Sequence, residues 1–117
     1  MTYAEMVPLM RHIGKQCPVI TKGLEERRLV LQENGQGSPC LDLTRVSLNL
    51  IKLVEENNTD LVILEGMGRA IHTNLYSKFN TEVFKLAVIK NQWLAQRLGG
   101  ELFSVIASYE RPLRQLN

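Results

Sequence analysis

Residues 60–91 of this chain read DLVILEGMGRAIHTNLYSKFNTEVFKLAVIKN, and they contain the pattern that decides the predicted fold. Leu61 to Leu64 form a short, wholly apolar run, which is typical of a parallel strand covered on both faces. Phe84 to Ile89 form a second such run. Between them lie a glycine-rich turn and a segment that reads as a helix. The stretch therefore predicts two parallel strands joined by a helical crossover.

The composition is that of an ordinary globular chain. Of its 117 residues, 44% are hydrophobic and 22% charged, which suits one small domain. The net charge of +2 comes from 14 basic and 12 acidic residues, a balance that does not predict binding to nucleic acid or to a membrane surface. No apolar run approaches the roughly 20 residues of a membrane helix, and the first residues lack a signal-peptide pattern. We therefore expect a cytoplasmic protein.

The rest of the chain alternates helices and strands. Thr2 and Glu5 fit a capping box for a helix over residues 3–15, in which Pro8 either kinks the helix or marks its first turn. The other predicted elements are a short helix at 19–27, a strand at 29–31, a loop at 33–39, a helix from 42 to 56, a helix at 69–78, a helix from Asn91 to Gly99, and a last strand at 102–107.

This order of elements predicts an α/β fold. We expect a mostly parallel, Rossmann-like sheet of about four strands flanked by helices. Because so small a sheet would leave its edges exposed, we expect it to be part of a larger domain.

Charged side chains follow the two central strands where each strand ends. Glu65 ends the first strand, and Lys90 follows the second. Gly66 and Gly68 allow a tight turn and a close approach to a ligand, and Arg69 begins a predicted helix whose first amide groups favour an anion. The carboxyl ends of parallel strands meet at one edge of a sheet. We therefore expect the carboxylate, the guanidinium and the ammonium to lie together.

Each charged residue also has a structural interpretation. Glu65 either binds a ligand or caps the helix that follows it. Arg69 either clamps a phosphate or pairs with Glu65, and Lys90 is either a phosphate contact or a solvated lysine at a strand end. A dinucleotide site is disfavoured, because Ile71 occupies the last position of the GxGxxG pattern, where a small residue is needed.

Four segments stand out together, namely EGMGR at 65–69, HTN at 72–74, KLAVIKN at 85–91 and LGGELFSVI at 98–106. They resemble the metal-dependent damage-control phosphatases, specifically the EGMGR subfamily found as the carboxyl-terminal domain of pantothenate kinase 4 type proteins. The resemblance implies an α/β fold and hydrolysis of phosphate monoesters, with 4′-phosphopantetheine and its oxidised or damaged forms as substrates. Residues 1–108 would then be the carboxyl-terminal part of the phosphatase domain, and residues 109–117 a flexible tail.

The resemblance also implies roles for residues and a cofactor. The expected catalytic residue is Lys90, as a phosphate contact. The expected substrate-binding residues are Glu65, Gly66, Met67, Gly68 and Arg69. The implied cofactor is a divalent metal, Mn, Co, Ni or Mg. Its ligands in the family, an Asp-Asn pair and a later Asp, would fall before Met1, so no metal ligand is assigned within this chain.

The expected partners are a small-molecule phosphate ester and the amino-terminal part of the phosphatase domain. A homodimer is left open, and neither nucleic acid nor a membrane is expected. The alternative function is a truncated, non-catalytic α/β interaction module that lacks the metal ligands. The two functions differ in their response to added metal ions, because only the enzyme requires them.

Overall fold

The computed structural model of this protein describes residues 1–112. Within this range the chain forms two compact units. The first comprises Met1–Gly37 and Arg45–Leu53, and the second comprises Ser38–Thr44 and the chain from Val54 onward. Among the described helices, none has the length and apolar character of a membrane span.

The elements follow the predicted α/β order except for the strand expected at residues 29–31. They are helix α1 (Tyr3–Gly14), helix α2 (Pro18–Glu25), a 3₁₀ turn (Leu43–Arg45), helix α3 (Leu48–Glu56), strand β1 (Leu61–Glu65), a π-helix (Met67–His72), strand β2 (Glu82–Val88), helix α4 (Gln92–Arg97) and strand β3 (Val105–Glu110). The α/β class is confirmed, with three strands in the described residues where about four were expected.

The first unit contains the predicted amino-terminal helix and its cap. The Oγ1 atom of Thr2 accepts from the Glu5 amide, and the Glu5 carboxylate accepts from the Thr2 amide, so the capping box is formed. Pro8 lies inside α1. The hydroxyl of Thr21 in α2 donates to the carbonyl of Gly14 at 2.6 Å, which joins the end of α1 to α2.

The strand predicted at residues 29–31 is wrong. The chain turns after α2, and Arg27 takes a positive φ of 55°. The Leu29 amide then donates to the carbonyl of Gly23 at 2.9 Å, so it is used locally and not in a sheet. A run of three apolar residues is too short to distinguish a strand from a turn that folds back on a helix.

The sheet of the second unit has the order β1-β2-β3. β1 and β2 are parallel, as predicted, with Leu61 opposite Glu82. The expectation that β1 is covered on both faces is wrong, because successive side chains of a strand point to opposite faces and only one face is covered. Leu64 is 7% exposed, whereas its neighbour Ile63 is 57% exposed.

β3 runs antiparallel to β2, so the sheet contains one parallel and one antiparallel pair of strands. The Ile89 amide donates to the Ser104 carbonyl at 2.9 Å, so the chain returns beside the end of β2 just before β3 begins. β3 must then run back along β2, and its end lies away from the carboxyl ends of β1 and β2. The strand includes Tyr109 and Glu110, which the sequence analysis assigned to the tail. Residues 113–117 of the predicted tail lie outside the described residues.

A lysine is buried in the central strand. Lys85 has no exposed surface. Its ammonium donates to the carbonyls of Leu75 at 2.8 Å and Ser77 at 2.9 Å, and to the Glu110 carboxylate at 2.8 Å. These three bonds use all three donors of the ammonium group. They offset the cost of burying a charge, and they join the turn before β2 and the end of β3 to the middle of the sheet.

Replacing Lys85 by Met should lower the free energy of unfolding by about 1 to 3 kcal/mol, because two partly buried carbonyl groups lose their donor. Urea unfolding measures this loss. The matched control is Lys78→Met, since Lys78 donates to the same Glu110 carboxylate at 2.7 Å but its side chain is 69% exposed. An exposed ion pair contributes little, so the control should unfold close to the wild type. Equal losses in the two variants would contradict the central role of Lys85.

Acid should weaken the same network. Hydrogen bonds from Lys78 and Lys85 hold the pKa of Glu110 below its ordinary value. A carboxyl group with a lowered folded-state pKa stabilises the fold above its unfolded pKa, and this contribution is lost as the pH falls through the folded pKa. Below about pH 4.5, the wild type should therefore lose thermal stability more steeply than Glu110→Gln. Melting temperatures of the two proteins that fall in parallel would exclude Glu110 as the group responsible.

Candidate functional site

The end of β1 leads into a turn that requires glycine. Glu65 is the last residue of the strand, and the Gly66 amide donates to the Leu86 carbonyl at 2.9 Å, which extends the pairing with β2. Gly66 then takes a φ of 110° and a ψ of 148°, a conformation that is almost confined to glycine. The chain therefore changes direction at the residue that follows the carboxylate.

A π-helix at Met67–His72 follows this turn, in place of the helix predicted at 69–78. The hydroxyl of Thr73 donates to the Gly68 carbonyl at 3.1 Å, so a polar side chain takes up backbone hydrogen bonding at the end of the helix. π-Helical turns are rare and occur frequently at functional sites. This helix has only six residues, so its dipole is small. The predicted anion site therefore gains little from the helix dipole.

The segment that contains Pro39 packs directly on this π-helix. A Cβ atom added at Gly68 would lie 2.7 Å from the Pro39 carbonyl oxygen, so the missing side chain permits the contact. Asn74 is 3% exposed, and its amide nitrogen donates to the carbonyls of Leu41 at 2.9 Å and Arg69 at 2.8 Å. Gly68 thus allows a close approach by the protein's own backbone, where the sequence predicted approach by a ligand.

A cavity of about 110 Å³ lies at the carboxyl ends of β1 and β2. Its lining residues are Glu65, Gly66, Met67, Val88 and Lys90. Sites for small molecules usually enclose roughly 300 to 1,000 Å³. The cavity is therefore large enough for a group such as phosphate and too small for a whole nucleotide cofactor.

The structure brings together two of the three charged residues that were expected to meet. Glu65 and Lys90 line the same cavity. Arg69 is exposed and does not line it. In residues 1–112, no ion pair joins Arg69 to Glu65, and none occupies the ammonium of Lys90. The cavity therefore presents one carboxylate and one available cation.

Sequence reasoning did not single out Val88 as a cavity residue. It precedes Lys90 by two positions, and alternation along an extended chain places both on the face opposite the buried Ile89. This alternation in the sequence would therefore have predicted Val88 beside Lys90. Burial of Asn74 had no such signal, because an asparagine that follows a helix is more often exposed.

The cavity does not offer the ligand set of a divalent metal. Across residues 1–112, no three His, Cys, Asp or Glu side chains are placed to hold a metal ion. Glu65 is the one acidic side chain among the cavity-lining residues. Mg²⁺ and Mn²⁺ prefer several oxygen ligands. These residues by themselves therefore do not fit the metal that the resemblance implies.

Comparison with known proteins identifies related sequences. The family model described as "Damage-control phosphatase ARMT1-like domain" matches residues 1–106. The chain is 36% identical over 160 residues to a 4′-phosphopantetheine phosphatase of Mus musculus, covering 97% of this chain and 20% of that protein. It is 48% identical over 85 residues to pantothenate kinase 2 of Arabidopsis thaliana, covering 72% of this chain and 9% of that protein.

A further relative is a damage-control phosphatase of Arabidopsis thaliana. The two sequences are 38% identical over 87 residues, which cover 74% of this chain and 23% of the plant protein. The chain thus spans less than a quarter of the length of each of these relatives. The similarity includes the segments that form the cavity, since the family match extends from residue 1 to residue 106.

Replacing Gly68 by Ala should lower the free energy of unfolding by about 1 to 3 kcal/mol, because the new methyl group would overlap the Pro39 carbonyl and force the two segments apart. Urea unfolding tests this. The matched control is Gly37→Ala, since no atom lies within 4 Å of a Cβ atom at Gly37. The control should be neutral or slightly stabilising. If both variants behaved alike, the contact with Pro39 would not explain the glycine.

Proposed function

Because this chain belongs to the damage-control phosphatase ARMT1-like domain family, we propose that it forms the phosphate-binding edge of a phosphate-monoester hydrolase. The observation that carries the proposal is the small cavity at the carboxyl ends of β1 and β2, which Glu65 and Lys90 both line. Ligands of α/β sheets bind at this edge. The names of two relatives, a 4′-phosphopantetheine phosphatase and a damage-control phosphatase, support the same class of reaction.

Lys90 is the proposed phosphate contact and the catalytic residue of this edge. Its ammonium is a compact cation that binds phosphate as a point charge. When the bond to the leaving oxygen breaks, negative charge builds up on the phosphoryl and leaving-group oxygens, and a fixed cation stabilises that charge. Lys90 follows the buried Ile89, which is held on both sides by backbone hydrogen bonds to the turn before β3. The position of the lysine backbone is therefore fixed before the substrate binds.

Residues Glu65 to Arg69 are the proposed substrate side of the cavity. Glu65 has two candidate roles, namely accepting a hydrogen bond from the organic part of the substrate and ordering the attacking water. The Gly66 amide already donates to Leu86, so an amide contact to the phosphoryl group would come from Met67, which also lines the cavity. Arg69 lies outside the cavity lining and would contact parts of the substrate that extend beyond it.

The proposed substrate is 4′-phosphopantetheine or one of its oxidised or damaged forms. The name of the mouse relative supports this substrate, and the size of the cavity suits its phosphoryl group. A space of about 110 Å³ accommodates the phosphoryl group and leaves the pantetheine arm outside. Such a site recognises the phosphoryl group by charge. The pantetheine arm must then be recognised by residues around the cavity.

The complete enzyme would need more than these residues. A divalent metal, Mn, Co, Ni or Mg, is part of the proposal through the family, but the described residues do not fit it. The proposed partner is the amino-terminal part of the phosphatase domain. The exposed side chains of Leu61 and Ile63 support a covering partner, because their apolar run is typical of a strand buried on both faces. A homodimer, a cytoplasmic location and the lack of nucleic-acid or membrane binding stay predictions.

The alternative is a non-catalytic interaction module. The observation that favours it is the lack of a metal-ligating group within residues 1–112. A module would bind its partner through the uncovered sheet face and release no phosphate under any condition. Assays with each divalent ion separate the two functions.

In a complete damage-control phosphatase that contains this segment, replacing Lys90 by Ala should reduce phosphate release from 4′-phosphopantetheine more than tenfold, or about 1.4 kcal/mol of transition-state stabilisation. The assay measures released phosphate with Mn²⁺, Co²⁺, Ni²⁺ or Mg²⁺ added in turn. Lys52→Ala is the control, because Lys52 is another exposed lysine outside the cavity lining. An unchanged rate in Lys90→Ala would remove Lys90 from the site. No release by the wild type with any of the ions would favour the module.

A further inference from the structure

Phe103 occupies a turn position where glycine is the usual residue. The Ser104 amide donates to the Glu101 carbonyl at 3.0 Å, which closes a four-residue turn between α4 and β3. Phe103 is the third residue of this turn, and its φ is 67°. Turns whose third residue alone has a positive φ are type II turns, and they favour glycine at that position.

The pairing with β2 requires the same unusual conformation. The Phe103 amide donates to the Ile89 carbonyl at 2.8 Å, and the Ile89 amide donates to the Ser104 carbonyl at 2.9 Å. Phe103 and Ser104 therefore both face Ile89 on the neighbouring segment, and two residues opposite one define a β-bulge. In the bulge that accompanies a left-handed first residue, that residue is ordinarily glycine. The turn and the bulge thus give two separate reasons for glycine at position 103.

Burial does not compensate for the strain at this position. Phe103 is 65% exposed, so most of its ring lies in water. A bulky side chain with a positive φ is an outlier, and such outliers cluster at sites where they bind a ligand. An exposed aromatic ring on a strained backbone gains little for folding. A contact that forms on binding would give the ring a role that folding does not.

Phe103 lies near the end of β2 that carries the cavity. Its bond to Ile89 places it beside the residue that precedes Lys90. Two positions further along, Val105 lies directly opposite the cavity-lining Val88, and neighbours across a strand pair share a face. Val105 is 69% exposed. Exposed apolar residues therefore lie on the segment that pairs with Val88 and Ile89, just before Lys90.

We propose that Phe103 is a specificity residue that contacts the organic arm of a phosphate ester whose phosphoryl group lies at Lys90. The proposal rests on the proposed function of the cavity. Lys90 supplies the charge that any phosphate recognises, and the ring of Phe103 supplies apolar contact that only an organic ester can use. Inorganic phosphate would bind without it.

The test is the variant Phe103→Gly, which removes the ring and relieves the strain. Its melting temperature should rise by about 3 °C, because glycine adopts the left-handed conformation without cost. Its affinity for 4′-phosphopantetheine should fall about tenfold by titration calorimetry, whereas its affinity for inorganic phosphate should stay unchanged. Phe103→Ala keeps the strained backbone and should show the loss of affinity without the gain in stability. Tyr76→Ala is the control, since Tyr76 is an 84% exposed aromatic residue in another turn.

The outcomes separate the role of Phe103 from the role of the cavity. Equal binding of the ester by the wild type and Phe103→Gly would overturn the role of Phe103 while leaving the cavity as a phosphate site. A melting temperature that falls in Phe103→Gly would show that the ring supports the fold, which also overturns the proposal. If the wild type bound neither probe, the proposed function would fail, and the role of Phe103 would fail with it.

Discussion

The ammonium group of Lys85 lies inside the protein, with two backbone carbonyls and the Glu110 carboxylate as its acceptors. An unpartnered charge at this position would destabilise the fold, so the three acceptors must be held in place. Two of them belong to the turn before β2, and the third belongs to the end of β3. The register of β3 and the path of the chain into β2 are therefore constrained by one side chain. The antiparallel direction of β3 also follows, since only a returning strand brings Glu110 near Lys85.

The candidate site depends on the opposite set of positions along the same strand. Val83, Lys85 and Ala87 are buried, whereas Val88 and Lys90 alternate with the buried Ile89 and reach the cavity. Lys85 therefore stabilises the fold, whereas Lys90 is placed to contact a ligand. Because the buried lysine uses all its donors on the protein, none is left to contact a substrate. The exposed lysine has no ion pair among the described residues, so its charge is available.

Sequence patterns predicted those features that depend on local residues. The apolar runs of β1 and β2 identified both strands, and the capping box at Thr2 and the cap at Asn91 fixed the starts of two helices. Features that depend on distant partners were not predictable in this way. A lysine in the middle of a strand reads as a solvent-facing residue, and the acceptors of Lys85 lie 8, 10 and 25 residues away in the sequence. The direction of β3 had no sequence signal, because an apolar strand can pair with its neighbour in either direction.

Three unusual backbone conformations of the second unit lie at the edge that carries the cavity. Gly66 takes a conformation almost confined to glycine, the π-helix begins one residue later, and Phe103 adopts a left-handed conformation beside the residue that precedes Lys90. Each of these conformations is less favourable than the regular alternative, and each needs surroundings that hold it. The Lys85 network lies on the covered face of the same sheet. The fold thereby separates two sets of residues. Those that stabilise it lie on the covered face of the sheet, and those proposed to recognise a phosphate ester lie at its carboxyl edge.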